Sequence, residues 1–221
     1  MFRTLDGLLL LRPSFDKMLR CTSIDGIEQL ESAIARGKGV ILLAGHFCAN
    51  RIAVRYLATK GYAALSVHNQ RPSSKEEGRL GRLFLHPRSI QLEKRANPDQ
   101  VYIQDPDCGL RIMRRLRAGG LALLQFDGRG GIKAIERSFL GVPWRLPSGI
   151  FEIVRLSDCA VVPILCLGRS DGLRIRFDPM LTIDSAPSRE TFISTNLPRF
   201  LAVVEGQITD NPEEWRLWNN L

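Results

Sequence analysis

Long apolar runs are missing where a membrane protein would need them. Residues 1–12 place a charge near each end of a very short apolar run, far below the roughly 20 residues of a spanning helix. The same stretch lacks the apolar core and small-residue cleavage site of a signal peptide. Any membrane contact is therefore expected to be peripheral, with the chain in the cytoplasm. The cysteines, Cys21, Cys48, Cys108, Cys159 and Cys166, are odd in number and none lies in a CxxC pair. Neither a disulfide framework nor a thiolate metal site is expected, and reduced thiols are the default. Acidic residues fall short of basic ones, 23 against 31, leaving a formal net charge of +8. That surplus favours an acidic partner such as an anionic lipid surface, an acidic carrier protein or nucleic acid. Nucleic acid is set aside, because the chain has no aromatic-basic alternation, no zinc finger and no helix-turn-helix pattern. Repeats and low-complexity segments are also missing. What remains is 221 residues of ordinary hydrophobic content, enough for a single domain over residues 1–221.

Within it, apolar runs of strand length alternate with helical patterns. Gly39–Ala44, Ala63–Val67, Leu121–Phe126 and Ala160–Leu167 read as strands, and the uncharged ones as strands buried on both faces. Leu173–Phe177 is expected to pair antiparallel with Ala160–Leu167 across an Asp-Gly turn. Helices are expected after a capping box at Asp25-Gly-Ile-Glu28, from Phe47 to Lys60, after Asp105-Pro106-Asp107, over Gly149–Leu156 and over Ser188–Gln207. The helix after Pro106 should turn Leu110, Met113 and Leu116 inward, and Pro198 should kink or split the long one. A short helix is expected after Asn211-Pro212. Lys75–Leu85 is a further helix and Ser89–Leu92 a short strand, while Arg95–Tyr102 reads as irregular. The expected fold class is α/β, with a mixed, mostly parallel sheet flanked by helices.

The chain is organised around Gly39-Val-Ile-Leu-Leu-Ala-Gly45-His46-Phe-Cys48-Ala-Asn50-Arg51. His46 falls where this strand ends, after a glycine that permits a sharp turn. In an open α/β sheet, ligands bind beyond the carboxyl ends of the strands. A neutral histidine there can act as a general base, or simply be satisfied by a loop carbonyl.

This stretch resembles the His-Phe-Gly-Asn-Trp-Glu block of the bacterial lipid A late acyltransferases, the lauroyl and myristoyl transferases of the lysophospholipid acyltransferase superfamily. Further blocks follow in that family's order. They are Gln70-Arg71-Pro72, Leu123-Leu-Gln-Phe-Asp127-Gly128, Ser138-Phe139-Leu140-Gly141, Ala160-Val-Val-Pro163 and Asn211-Pro-Glu-Glu-Trp215-Arg-Leu-Trp218. The resemblance runs from about Gly26 to Leu221. It implies a glycerol-3-phosphate acyltransferase-like fold. It also implies transfer of a fatty acyl group from an acyl-carrier-protein or acyl-CoA co-substrate to a hydroxyl of a lipid-type acceptor, with no further cofactor and no metal. One departure stands out. The family places a carboxylate five positions after its histidine, and this chain has Arg51 there.

Acyl transfer needs a base for the acceptor hydroxyl, a group that fixes the base's tautomer, and donors for the developing oxyanion. His46 suits the first role, and the amides of the residues after it are candidates for the third. Arginine cannot accept a hydrogen bond, so Arg51 does not replace the missing carboxylate. Either Asp127, at the end of a neighbouring strand, supplies it, or the dyad is broken and the protein binds acyl chains or an acyl carrier without turnover. A thioesterase-like hydrolase is the third alternative. Asn50, Arg51, Arg71, Arg129 and Gly141 are the candidate substrate-binding residues. Arg71, Arg129 and Lys133 are either phosphate contacts or solvated charge. His68 is a second candidate histidine and His86 ordinary loop chemistry. Cys48 is a small helix residue before it is a nucleophile. Phe139-Leu140-Gly141 lines an acyl pocket or belongs to the core, and Trp215 and Trp218 pack against the domain.

Overall fold

Every residue of the strand Val40–Ala44 is buried, as its uncharged sequence requires of a strand covered on both faces. A computed structural model describes residues 21–68, 99–128, 133–169 and 172–218. In chain order the strands are β1 (Ser23–Asp25), β2 (Val40–Ala44), β3 (Ala64–His68), β4 (Gln100–Tyr102), β5 (Leu121–Gln125), β6 (Ala134–Phe139), β7 (Val142–Pro147), β8 (Ala160–Gly168) and β9 (Leu173–Phe177). The helices are α1 (Ile27–Ala35), α2 (Asn50–Thr59), α3 (Cys108–Arg117), α4 (Gly149–Ser157) and α5 (Arg189–Asp210), and a 3-10 turn follows at Pro212–Glu214.

Seven strands form one sheet in the order β1-β9-β8-β2-β5-β3-β4. From β8 to β4 all neighbours are parallel, whereas β9 runs antiparallel to β8 and carries β1 parallel to itself. The sheet is therefore mixed and mostly parallel, with β2 near its centre. The period-two alternation of a strand divides its side chains between two cores. Ile41 and Leu43 join Ala122, Leu124 and Val161 against α3, α4, α5 and the hairpin β6–β7. Val40, Leu42 and Ala44 join Leu121, Leu123 and Val162 against α1 and α2.

Several expectations need correction. Asp25 is not a helix cap: it lies in β1, its carboxylate takes a hydrogen bond from Arg174, and α1 begins after Gly26 without a side-chain cap. Part of the stretch read as irregular, Gln100–Tyr102, pairs with β3 as β4. In α3 the buried residues are Ile112 and Leu116, while Leu110 is 49% exposed. Proline 198 does not split α5, which runs unbroken from its Ser188 cap. Helix α2 starts at Asn50 rather than Phe47. Among the described residues, no terminal α-helix carries Trp215 and Trp218: Trp215 follows the 3-10 turn in extended conformation. The hairpin β6–β7 was not anticipated. Its two-residue turn needs φ > 0 at both centres, supplied by Leu140 (φ 51) and Gly141 (φ 80), and Leu140 at such a position hides the turn from a reader looking for Asn-Gly. The expected helix 75–85 and strand 89–92 lie outside the described residues.

Candidate active site

Strands β2 and β5 pair in parallel at a constant offset of 81, from Val40 opposite Leu121 to Ala44 opposite Gln125. The Phe126 amide carries the ladder one step further by donating to the Ala44 carbonyl at 3.0 Å. At the same offset, two residues beyond the carboxyl ends, stand His46 and Asp127. Parallel register alone brings an imidazole and a carboxylate face to face where an open sheet forms its crevice.

Asp127 is fully buried. Its Oδ1 lies 2.6 Å from His46 Nδ1, and its Oδ2 accepts from the His46 backbone amide at 2.8 Å and from the Trp215 indole N–H at 2.6 Å. The Trp144 indole donates to the Asp127 backbone carbonyl at 2.9 Å. Burial by itself pushes the Asp127 carboxyl up, but the His46 charge and the donors from His46 and Trp215 outweigh it. The net position is below the ordinary value, so Asp127 is ionised at neutral pH. An ionised carboxylate only accepts, so the proton between the two side chains sits on His46 Nδ1. In neutral His46 the lone pair is then on Nε2. The His46 side chain is 25% exposed.

Gly128 keeps the edge of the imidazole clear: a Cβ there would stand 2.9 Å from Cε1 and 3.6 Å from Nε2. Gly45 serves the turn by its small size, since a Cβ would press on the Phe47 ring at 2.9 Å. Asn50, buried at the start of α2, donates from Nδ2 to the Gly45 carbonyl at 2.7 Å, while its Oδ1 has no hydrogen-bond partner among the described residues. The closing segment holds the turn from its other side. Cys48 N–H donates to the Glu214 carbonyl at 3.1 Å, Arg216 N–H to the His46 carbonyl at 3.0 Å, and Phe47 bridges Trp215.

These bonds narrow one expectation. The amides of His46, Phe47 and Cys48 already donate to Asp127, Gly45 and Glu214, so among the amides after His46 those of Phe47 and Cys48 are not the oxyanion donors. Because α2 begins at Asn50, these residues form a turn instead of the first turn of a helix.

Of the candidates, His46 and Asp127 are brought together. Asn50 buttresses the turn between them and α2. Arg51 is half-buried in the first turn of α2, so the carboxylate on His46 comes from β5 rather than from α2. Gly141 is exposed at the tip of the hairpin, whose turn is tied to α5 by the Leu140 amide and Glu205 at 2.7 Å. Phe139 is fully buried core. Lys133 is exposed at the foot of β6. Arg71, Arg129 and His86 lie outside the described residues. His68 ends β3 with its ring 5.9 Å from that of Tyr102. Cys159 and Cys166 are buried, which pushes both thiols up and makes them core residues, while Cys48 is exposed. A groove of about 580 Å³ opens at the opposite end of the sheet, near Cys159, Met180 and Phe192, and takes no part in this constellation.

Trp215 and Trp218 pack as expected: with Phe139 and Trp144 they form an aromatic chain with centroids 4.9–6.2 Å apart. The bonds of Trp215 and Trp144 to Asp127 go beyond that expectation. A buried indole needs an acceptor for its N–H, which is the one sequence signal that pointed to them.

The fold is an α/β one with a histidine–carboxylate pair beyond the carboxyl ends of its central strands. The family model described as bacterial lipid A biosynthesis acyltransferase matches residues 11–220. The chain belongs to that family. A comparison with curated proteins gives no significant match. Membership supports acyl transfer to a lipid acceptor as the class of reaction. Among the described residues, no helix is long and apolar enough to cross a membrane.

Proposed function

We propose that the protein moves a fatty acyl group from an acyl-carrier-protein or acyl-CoA thioester to a hydroxyl of a lipid acceptor, with His46 as general base and Asp127 as its partner. The observation that carries this reading is the buried, ionised Asp127 bonded to His46 Nδ1, which leaves Nε2 as the proton acceptor. In the reaction, Nε2 takes the proton of the acceptor hydroxyl as its oxygen attacks the thioester carbonyl. A C–O bond forms and the tetrahedral intermediate carries the negative charge. As it collapses, the C–S bond breaks and the imidazolium returns its proton to the departing thiolate. Asp127 keeps Nδ1 protonated and stabilises the imidazolium without taking its proton. Cationic side chains, Arg51 among the described residues and Arg71 and Arg129 from the sequence, are proposed contacts for phosphates of the donor or acceptor. Such contacts, together with the +8 charge, suit a protein working peripherally at an anionic lipid surface on the cytoplasmic side.

The test is release of free thiol from long-chain acyl-coenzyme A and from acyl-carrier protein, with hydroxyl-bearing lipids present. Wild type releases thiol from one donor or both, and His46→Ala abolishes it. Release untouched by His46→Ala contradicts the proposal. Saturable acyl binding without release would assign the protein as a binder that has lost turnover.

A further inference from the structure

We propose that Trp215 is a positioning residue that sets the basicity of His46 through the Asp127 carboxylate. Its catalytic meaning rests on the function proposed above; its physical meaning does not. The Trp215 indole sits 2.6 Å from Asp127 Oδ2, the oxygen not paired with the imidazole. Three donors therefore converge on one buried carboxylate, two from His46 and one from a residue 88 positions away. In a water-excluded site each donor draws charge from the carboxylate, and hydrogen bonds to an ionised group are the strong ones. A carboxylate relieved of charge by Trp215 pulls less on the Nδ1 proton, so loss of the indole bond favours the imidazolium.

The placement of Trp215 is also fixed by backbone, not by packing alone. The residues on either side of it hold the His46 turn: the Glu214 carbonyl accepts from Cys48 and the Arg216 amide donates to the His46 carbonyl. Thus the segment that delivers the indole to Asp127 also sets the height of His46. Trp144 gives the internal comparison. Its indole reaches the same residue, but at the backbone carbonyl, where it leaves the carboxylate charge alone.

Other ionisable groups on the elements around His46 are Cys48, Arg51, Arg55 and Tyr56 in its own turn and helix, and Glu213, Glu214 and Arg216 on the closing segment. Trp215→Phe alters none of them and keeps an aromatic ring against Phe139 and Trp144. The experiment is titration of the His46 ring nitrogens by 15N NMR in wild type, Trp215→Phe and Trp144→Phe. In Trp215→Phe the His46 midpoint moves up by about half a unit or more, whereas in Trp144→Phe it stays near wild type. An unmoved midpoint in Trp215→Phe, or an equal shift in both variants, would overturn the inference. If Trp215→Phe does not fold, the wild-type protein still decides: its Trp215 indole N–H resonance must titrate with His46, and a resonance indifferent to that titration refutes the coupling. The acid limb of kcat/KM should follow the same displacement. A shifted NMR midpoint with no acyl transfer in any form would leave the coupling standing and remove the proposed function.

Discussion

Replacing Asp127 by asparagine separates the chemistry of the pair from its architecture. The carboxylate accepts three hydrogen bonds, one at Oδ1 from His46 Nδ1 and two at Oδ2 from the His46 amide and Trp215. Asparagine has one acceptor oxygen and one NH2 group. The arrangement that keeps most contacts turns its oxygen to the two donors at the Oδ2 position and its NH2 to Nδ1. Nδ1 must then accept, the imidazole proton moves to Nε2, and the base is lost. In a serine-protease triad the same exchange lowers kcat about 10⁴-fold by selecting the wrong tautomer. A loss of about 10³–10⁴ is expected here, about 4–5 kcal/mol in the barrier. Stability should fall far less, by about 1 kcal/mol, since two of the three contacts persist and the third is reversed rather than emptied. Asp127→Ala differs, because it strands three donors in the core at about 1–3 kcal/mol each. The assay is steady-state acyl transfer beside thermal unfolding of the same samples, with kcat falling and KM little changed. Activity of Asp127→Asn within about threefold of wild type would refute the reasoning. So would a loss of rate no larger than its loss of folded protein.

Gly128→Ala should slow transfer at least about tenfold while the protein stays folded, since its Cβ would stand 2.9 Å from His46 Cε1 and displace the ring; wild-type kinetics would show that the ring edge is not used. Asn50→Ala removes the bond to the Gly45 carbonyl and should lower stability by about 1–2 kcal/mol, read from denaturant midpoints. The third concerns acid. Asp127 titrates below its ordinary value of 3.8 when folded, so its contribution to stability is full above that value and is lost as pH falls below it towards the folded pKa. Melting temperature against pH should therefore decline more steeply below pH 3.8 in wild type than in Asp127→Asn; parallel curves would show that Asp127 carries no such contribution.

Much of this was legible in the chain. Uncharged runs of strand length have one stable home, the middle of a covered parallel sheet, so β2, β5 and β8 could be read directly. The pairing of His46 with Asp127 was also within reach. Gly39-Val-Ile-Leu-Leu-Ala-Gly-His46 and Gly120-Leu-Ala-Leu-Leu-Gln-Phe-Asp127 align from their leading glycines, and adjacent parallel strands in that register must end opposite one another. What sequence did not yield depends on long-range partners. β1 and β4 are three-residue edge strands, too short for period-two patterning to declare them. Leu110 looked like an inward residue by spacing, yet the face of α3 that meets the sheet is set by Ile112 and Leu116. Proline 198 lacks a donor that most helices need, but a helix packed along its buried face by Leu197, Phe200 and Val204 tolerates the loss. Trp215 reads as an apolar anchor in any local window. Its acceptor lies 88 positions away, and only the fold connects them.

The most direct measurement is ester formation itself. Acyl donor and hydroxyl-bearing lipid are incubated with wild type and with His46→Ala, and free thiol and acylated lipid are quantified together by mass spectrometry. The account predicts one ester formed for each thiol released by wild type, and neither product from His46→Ala. Thiol without ester, or ester formed equally well by His46→Ala, would contradict it.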